Sequence, residues 1–79
     1  MEIGEVSNYF EHVGAAAIKL SKKLKVGDRI EIKGGEKDFE QEIKEMQINR
    51  KNVKEAKAGD EVGILVNEKV RKGYKVFKV

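Results

Sequence analysis

Twice in this chain a Gly-Asp pair stands directly before a strand-forming run: Leu24-Lys25-Val26-Gly27-Asp28-Arg29-Ile30 and Lys57-Ala58-Gly59-Asp60-Glu61-Val62. No other feature constrains the fold as tightly. Glycine reaches positive φ without a Cβ clash, and an Asp beside it can accept hydrogen bonds from the N–H groups of the turn. The β-branched residue that follows then enters a sheet. Both pairs therefore read as one device used twice, with a structural rather than a catalytic Asp. Gly34-Gly35 and Gly73 add further reversals, and proline is absent, so glycine supplies the punctuation alone.

The segments between these turns read mostly as strands. Arg29-Ile30-Glu31-Ile32-Lys33 alternates with period two, placing Ile30 and Ile32 on one face and the charges on the other. Glu61 to Val66 is a short apolar run bounded by Gly59-Asp60 and Asn67, and Gly73 to Val79 is rich in strand formers. Ile3 to Phe10 and Val13 to Leu20 read as a strand pair joined near Glu11-His12, although Ala15-Ala16-Ala17 suits a helix equally by propensity. Val and Ile supply 9 and 7 of the 31 apolar residues against 3 from Leu, which tips the whole chain towards β-structure. Asp38 to Ala58 is the ambiguous stretch. Phe39, Ile43, Met46 and Val53 follow helical spacing, whereas a strand there requires the chain to swap faces between Ile43 and Met46.

A length of 79 residues permits one domain, spanning 1–79, and the absence of cysteine removes disulfides, thiolate metal sites and thiol nucleophiles. No apolar run approaches the ~20 residues of a bilayer span, and the N-terminus is acidic where a signal peptide is basic. A soluble, cytoplasmic protein is expected. Abundant Lys and Glu, with no Cys and no Thr, match the composition of thermophile proteins.

Charge falls in blocks. Residues 1–18 carry three acids and no Lys or Arg, and 34–45 five acids against two bases; 19–33 and 62–79 are each net +4. The basic blocks offer Lys22, Lys23, Arg71 and Lys72 as phosphate contacts, and equally serve to keep strand ends soluble. Nucleophilic chemistry has little to draw on. Ser7 and the one histidine, His12, flank the first turn with nothing to activate them, and the plentiful carboxylates sit among lysines as on a solvated face. No catalytic residue, metal site or cofactor is expected.

From Leu24 to Val79 the text resembles the second domain of translational GTPases of the elongation factor Tu type. The resemblance rests on the two Gly-Asp turns, the Glu45-Met46-Gln47 segment, the Val62-Gly63-Ile64-Leu65-Val66 strand and a basic, glycine-containing approach to the last strand. Gly4-Glu5-Val6 and Gly14-Ala15-Ala16-Ala17 extend it to the front of the chain. Ile32-Lys33-Gly34, Asp38-Phe39 and Met46-Gln47-Ile48 are similar to the C-terminal barrel of a peptidase-like family linked to RNA hydroxylation.

Both resemblances imply an all-β fold, a closed six-stranded antiparallel Greek-key barrel with Asp38 to Ile48 as one long curved strand. The implied core is Ile3, Val6, Val13, Ile18, Leu24, Ile30, Ile32, Phe39, Ile43, Met46, Ile48, Val62, Ile64, Val66, Val76 and Phe77. The first resemblance also implies that Glu45 touches the acceptor end of tRNA, with Arg50 and Lys51 in the next turn as phosphate contacts. The phosphate-cradling loop of a GTPase is missing, so GTP hydrolysis by this chain is excluded. Two expectations follow. One is a non-catalytic, elongation factor-like barrel that binds tRNA, rRNA or a ribosomal surface; the other is a protein-interaction module that docks on a separate catalytic partner.

Overall fold

The computed structural model describes Met1–Val79 and is all-β, with ten strands and no helix. They are β1 (Glu2–Phe10), β2 (Ala15–Leu20), β3 (Leu24–Lys25), β4 (Arg29–Gly34), β5 (Lys37–Glu42), β6 (Met46–Ile48), β7 (Lys51–Val53), β8 (Glu55–Ala56), β9 (Glu61–Leu65) and β10 (Lys75–Lys78). Eight form one antiparallel sheet in the order β5-β4-β10-β1-β2-β9-β6-β7, and β3 pairs with β8 as a separate ribbon. Inward positions of the sheet, among them Ile3, Val6, Ile18, Ile30, Ile32, Val62 and Val76, are buried and form one core with Leu24 and Ala56 of the ribbon.

The two Gly-Asp turns behave alike. Gly27 and Gly59 have φ of 97° and 95°. In each turn the Asp carboxylate accepts from the N–H three residues back, Asp28 from Lys25 and Asp60 from Lys57, both at 3.0 Å. β3 and β8 lead into these turns and pair with each other, which explains why the repeated text brackets a shared ribbon. Gly34-Gly35 has a different reason. The Tyr74 ring lies against Gly34 so closely that a Cβ there would stand 2.1 Å from a ring carbon, so only glycine admits the ring.

The expectation of a closed six-stranded barrel needs correction, because the sheet ends in β5 on one side and β7 on the other, and no ladder joins them. The long strand from Asp38 to Ile48 is likewise split into β5 and β6. One residue explains both. The Ile43 N–H donates to the Asp28 carbonyl and its own carbonyl accepts from the Gly27 N–H, each at 2.8 Å, so its backbone is committed to the turn before β4. The chain then swaps faces through Lys44 and Glu45 before Met46 is buried again. Only one pair, Gln47 with Gly63, ties β6 to β9.

The expected core holds except at Val13 and Phe77. Val13 is 56% exposed, because Glu11 to Gly14 form the turn between β1 and β2 instead of the start of β2. Phe77 is half-buried beside the Lys33 ammonium and faces away from the core, while its strand neighbour Val76 points inward. Phe39, Ile48 and Val66 are half-buried. Ala16, Leu20, Ala56 and Val70 are core residues absent from the expectation.

Candidate functional site

Where the ladder fails, a cleft opens between β5 and β9. It has a volume of about 630 Å³, with Ile43, Ile64 and Leu65 as its apolar lining and Arg29, Glu40, Glu42, Lys44 and Glu45 among its polar lining. Gln41 spans it from one side. Its Nε2 donates to the Leu65 carbonyl at 2.8 Å and its Oε1 accepts from the Asn67 N–H at 2.9 Å, so one side chain supplies the two bonds that a neighbouring strand would. Gln41 is the one buried polar residue of the chain, and both ends of its amide are satisfied, as burial requires. The inward parity of Phe39, Gln41 and Ile43 is visible in the sequence, but nothing there distinguishes Gln41 from a surface amide.

Folding also pairs the charge blocks. β1 lies between β10 and β2, so the acidic front of the chain faces the basic end across one ladder. Lys75 bonds Glu5 and reaches Glu2 at 4.0 Å, and Lys69 bonds Glu11 at 2.8 Å. The Lys69 ammonium holds the Glu11 carboxyl below the ordinary range through that hydrogen bond and its charge, and Lys69 is raised in turn. Lys75 is likewise raised, first by its hydrogen bond to Glu5. Hence the acidic front and the basic end of the chain do not become separate faces.

The expected RNA contacts fall on three separate turns. Lys22 and Lys23 follow β2, where the Lys22 N–H bonds the Ile3 carbonyl and the Lys23 ammonium pairs with Glu55 at 3.3 Å. Arg50 and Lys51 occupy the β6–β7 hairpin, and Arg71 and Lys72 the turn before β10, which bonds Val6 through the Gly73 N–H. β6 and β10 are separated by β9, β2 and β1 in the sheet. Glu45 lines the cleft. Arg50 carries a backbone cost as well, since Asn49 and Arg50 have φ of 53° and 65° in a two-residue turn that favours glycine at its second position.

Ser7 and His12 form no catalytic pair. The Ser7 hydroxyl is engaged with the Ala17 carbonyl at 3.2 Å and with the Glu61 carboxylate, while His12 lies in the exposed β1–β2 turn. No group of three or more His, Cys, Asp or Glu side chains is arranged to hold a metal ion. No helix is long and apolar enough to cross a membrane.

No protein-family profile matches the chain. It is similar to an uncharacterized protease of Methanocaldococcus jannaschii, 44% identical over 78 residues that make up 98% of this chain. The chain spans about a fifth of that relative, 19% of its length. In structure it is similar to the C-terminal domain of a U32 peptidase-like protein of Geobacillus thermoleovorans, with a TM-score of 0.94, 21% identity and 99% of each chain covered. A second structure of that domain gives a TM-score of 0.91 over 98% of this chain and 90% of the other. The chain therefore shares the fold of a U32-type C-terminal domain.

These likenesses correct the translation reading. The matched proteins are an uncharacterized protease and the C-terminal domain of a U32 peptidase-like protein, not elongation factors. They agree with the second expectation, a domain that works beside a catalytic portion.

Proposed function

We propose that this chain is a non-catalytic accessory domain that docks on the catalytic body of a U32 peptidase-like protein, whether that body lies on the same polypeptide or on another. The observation that carries this reading is the 44% identity running through almost the whole chain while matching only 19% of the relative. A unit matched along its full length to a fifth of a larger protein acts in the company of the rest. The fold likeness to a U32-type C-terminal domain points the same way. So does the chemistry, since Ser7 is bonded to backbone and carboxylate groups, and Lys69 and Lys75 of the basic end are paired with Glu11 and Glu5 of the acidic front.

Purification of the native protein, with and without nuclease, tests the reading. A U32-type catalytic body is expected in near-stoichiometric amount, on the same chain or bound to it, and unaffected by nuclease. Recovery of no such body, or recovery that nuclease abolishes, overturns the proposal.

A further inference from the structure

Six large apolar side chains are exposed, and they are not scattered evenly. Met1 and Val79 end the described chain and Val26 stands apart beside β3, whereas Phe10, Val13 and Leu65 gather at one end of the sheet. Register brings them together. Phe10 is directly opposite Ala15, and Ala15 directly opposite Leu65, so the three form a row across β1, β2 and β9. Residues directly opposite in antiparallel strands point to the same face. Here it is the outer face, because Ala16 and Ile64, at the alternate positions, are buried. Phe10 is 41% and Leu65 60% exposed, and Val13 sits in the adjoining turn, its N–H bonded to the Phe10 carbonyl. A contiguous apolar row is unusual on the surface of a chain in which 39% of residues are charged, and such patches mark places where another molecule sits.

Leu65 also lines the cleft, whose other apolar lining is the inward-facing Ile64 and Ile43, so this one side chain links the outer row to the cleft. The polar lining there is unbalanced. Arg29 is held by Glu40 at 3.0 Å, which leaves Lys44 against Glu42 and Glu45, and neither of these acids enters an ion pair. The cleft thus presents apolar surface beside a net negative edge.

Building on the docking reading above, we propose that the Phe10–Ala15–Leu65 row and the adjoining cleft are the face seated against the catalytic body, which meets it with an apolar segment flanked by a basic side chain. Two observations favour this occupant. The free carboxylates of Glu42 and Glu45 call for a cation beside an apolar group, and the relative that matches this chain carries most of its length outside the matched stretch. A partner of that chemistry removes Phe10 and Leu65 from water and gives the two carboxylates a counter-charge.

Hydroxyl-radical footprinting reads the proposal at the side chains themselves. The 79 residues are grafted in place of the matched stretch of the M. jannaschii relative, and oxidation is compared with that of the chain alone. Oxidation of Phe10 and Leu65 is expected to fall at least about fivefold, as in the dry centre of an interface, while that of Val26 stays unchanged. Leu65→Asp, or Glu42→Lys combined with Glu45→Lys, is expected to return Phe10 to its unprotected level. The same comparison on the full-length relative, at the positions aligned with Phe10 and Leu65, gives the readout without a graft. Protection on another face, with Phe10 and Leu65 still reactive, overturns the face and leaves the docking reading in place. Unchanged reactivity at every exposed side chain overturns both.

Discussion

The wall of the molecule and its seam are built from the same kinds of strand but held by different means. From β4 through β10, β1 and β2 to β9 every neighbour is joined by a multi-residue ladder, with Ile18 lying between Val6 and Val62 at its centre. Between β5 and β9 that continuity stops, and one glutamine side chain stands in for a strand. A laddered wall fixes the fold through repeated backbone bonds and a shared core, whereas a seam closed by a side chain leaves apolar surface and unpaired carboxylates at its edge, where the docking face is proposed.

The severest way to test this division is to damage the wall. Ile18 is fully buried, and Ile18→Ala removes core volume where strands on both sides prevent collapse. A loss of about 3 kcal/mol in urea or thermal unfolding is expected, within the range for large-to-small core changes. A domain this small has little reserve, so the variant is expected to be partly unfolded at 25 °C.

Damage at the seam has a different signature. Gln41→Ala leaves the Leu65 carbonyl and the Asn67 N–H without their partner, next to a cleft that admits water. The expected cost is about 1–2 kcal/mol, less than that of Ile18→Ala. Hydrogen exchange distinguishes the two. Exchange at Asn67 is expected to quicken in Gln41→Ala while the β1 and β2 amides remain protected, because the seam opens locally. Equal quickening along β1 and β2 would show that the glutamine holds the whole fold and that the division is wrong.

Beyond the seam, the β6–β7 hairpin yields an effect of the opposite sign. Arg50→Gly relieves a non-glycine residue at a φ of 65°, and a gain of about 0.5–1 kcal/mol in unfolding free energy is expected. No gain would mean that contacts of the arginine offset its backbone cost.

The parts of this division differ in how far they could be read from the sequence. The wall was legible because alternation at Ile30/Ile32 and the β-branched runs at Val62 and Val76 state both strand and face, and the Gly-Asp turns state where strands begin. The seam was not. Whether Asp38 to Ile48 is one strand or two depends on Ile43 bonding to a turn about fifteen residues earlier, a tertiary event that local pattern does not encode. Val13 was misread for a related reason, since a valine in a turn looks like a valine in a strand until the neighbouring Glu11 and Gly14 are seen to make the reversal. The candidate docking row was hidden in register. Phe10 and Leu65 lie far apart in sequence, and only the pairing of both with Ala15 makes them neighbours. Charge misled in the opposite direction, because blocks separated along the chain are brought face to face by β1 and β10.

The smallest effect is expected where the wall meets β5, and its size depends on pH. The Glu31 carboxyl is held above its ordinary value, first by its hydrogen bond with the Asp38 side chain, then by desolvation and by the neighbouring Asp38 and Glu40 charges, with Lys33 opposing. An acid whose folded pKa is raised binds its proton more tightly in the folded state. Its stabilising contribution is therefore complete below the ordinary carboxyl value and is lost as pH rises through the raised folded value. At neutral pH the ionised Glu31 works against the fold, and Glu31→Gln, which keeps the shape and removes the charge, is expected to raise Tm slightly. Below the ordinary carboxyl value both side chains are neutral and the gain should vanish. The group is half-buried at the surface, so added salt should shrink the effect at neutral pH as it screens the carboxylates. Thermal melts of the two proteins at neutral and acidic pH, at low and high salt, check all three expectations. A gain that persists unchanged in acid would assign it to packing of the amide, and would place the strain of this edge in shape rather than in charge.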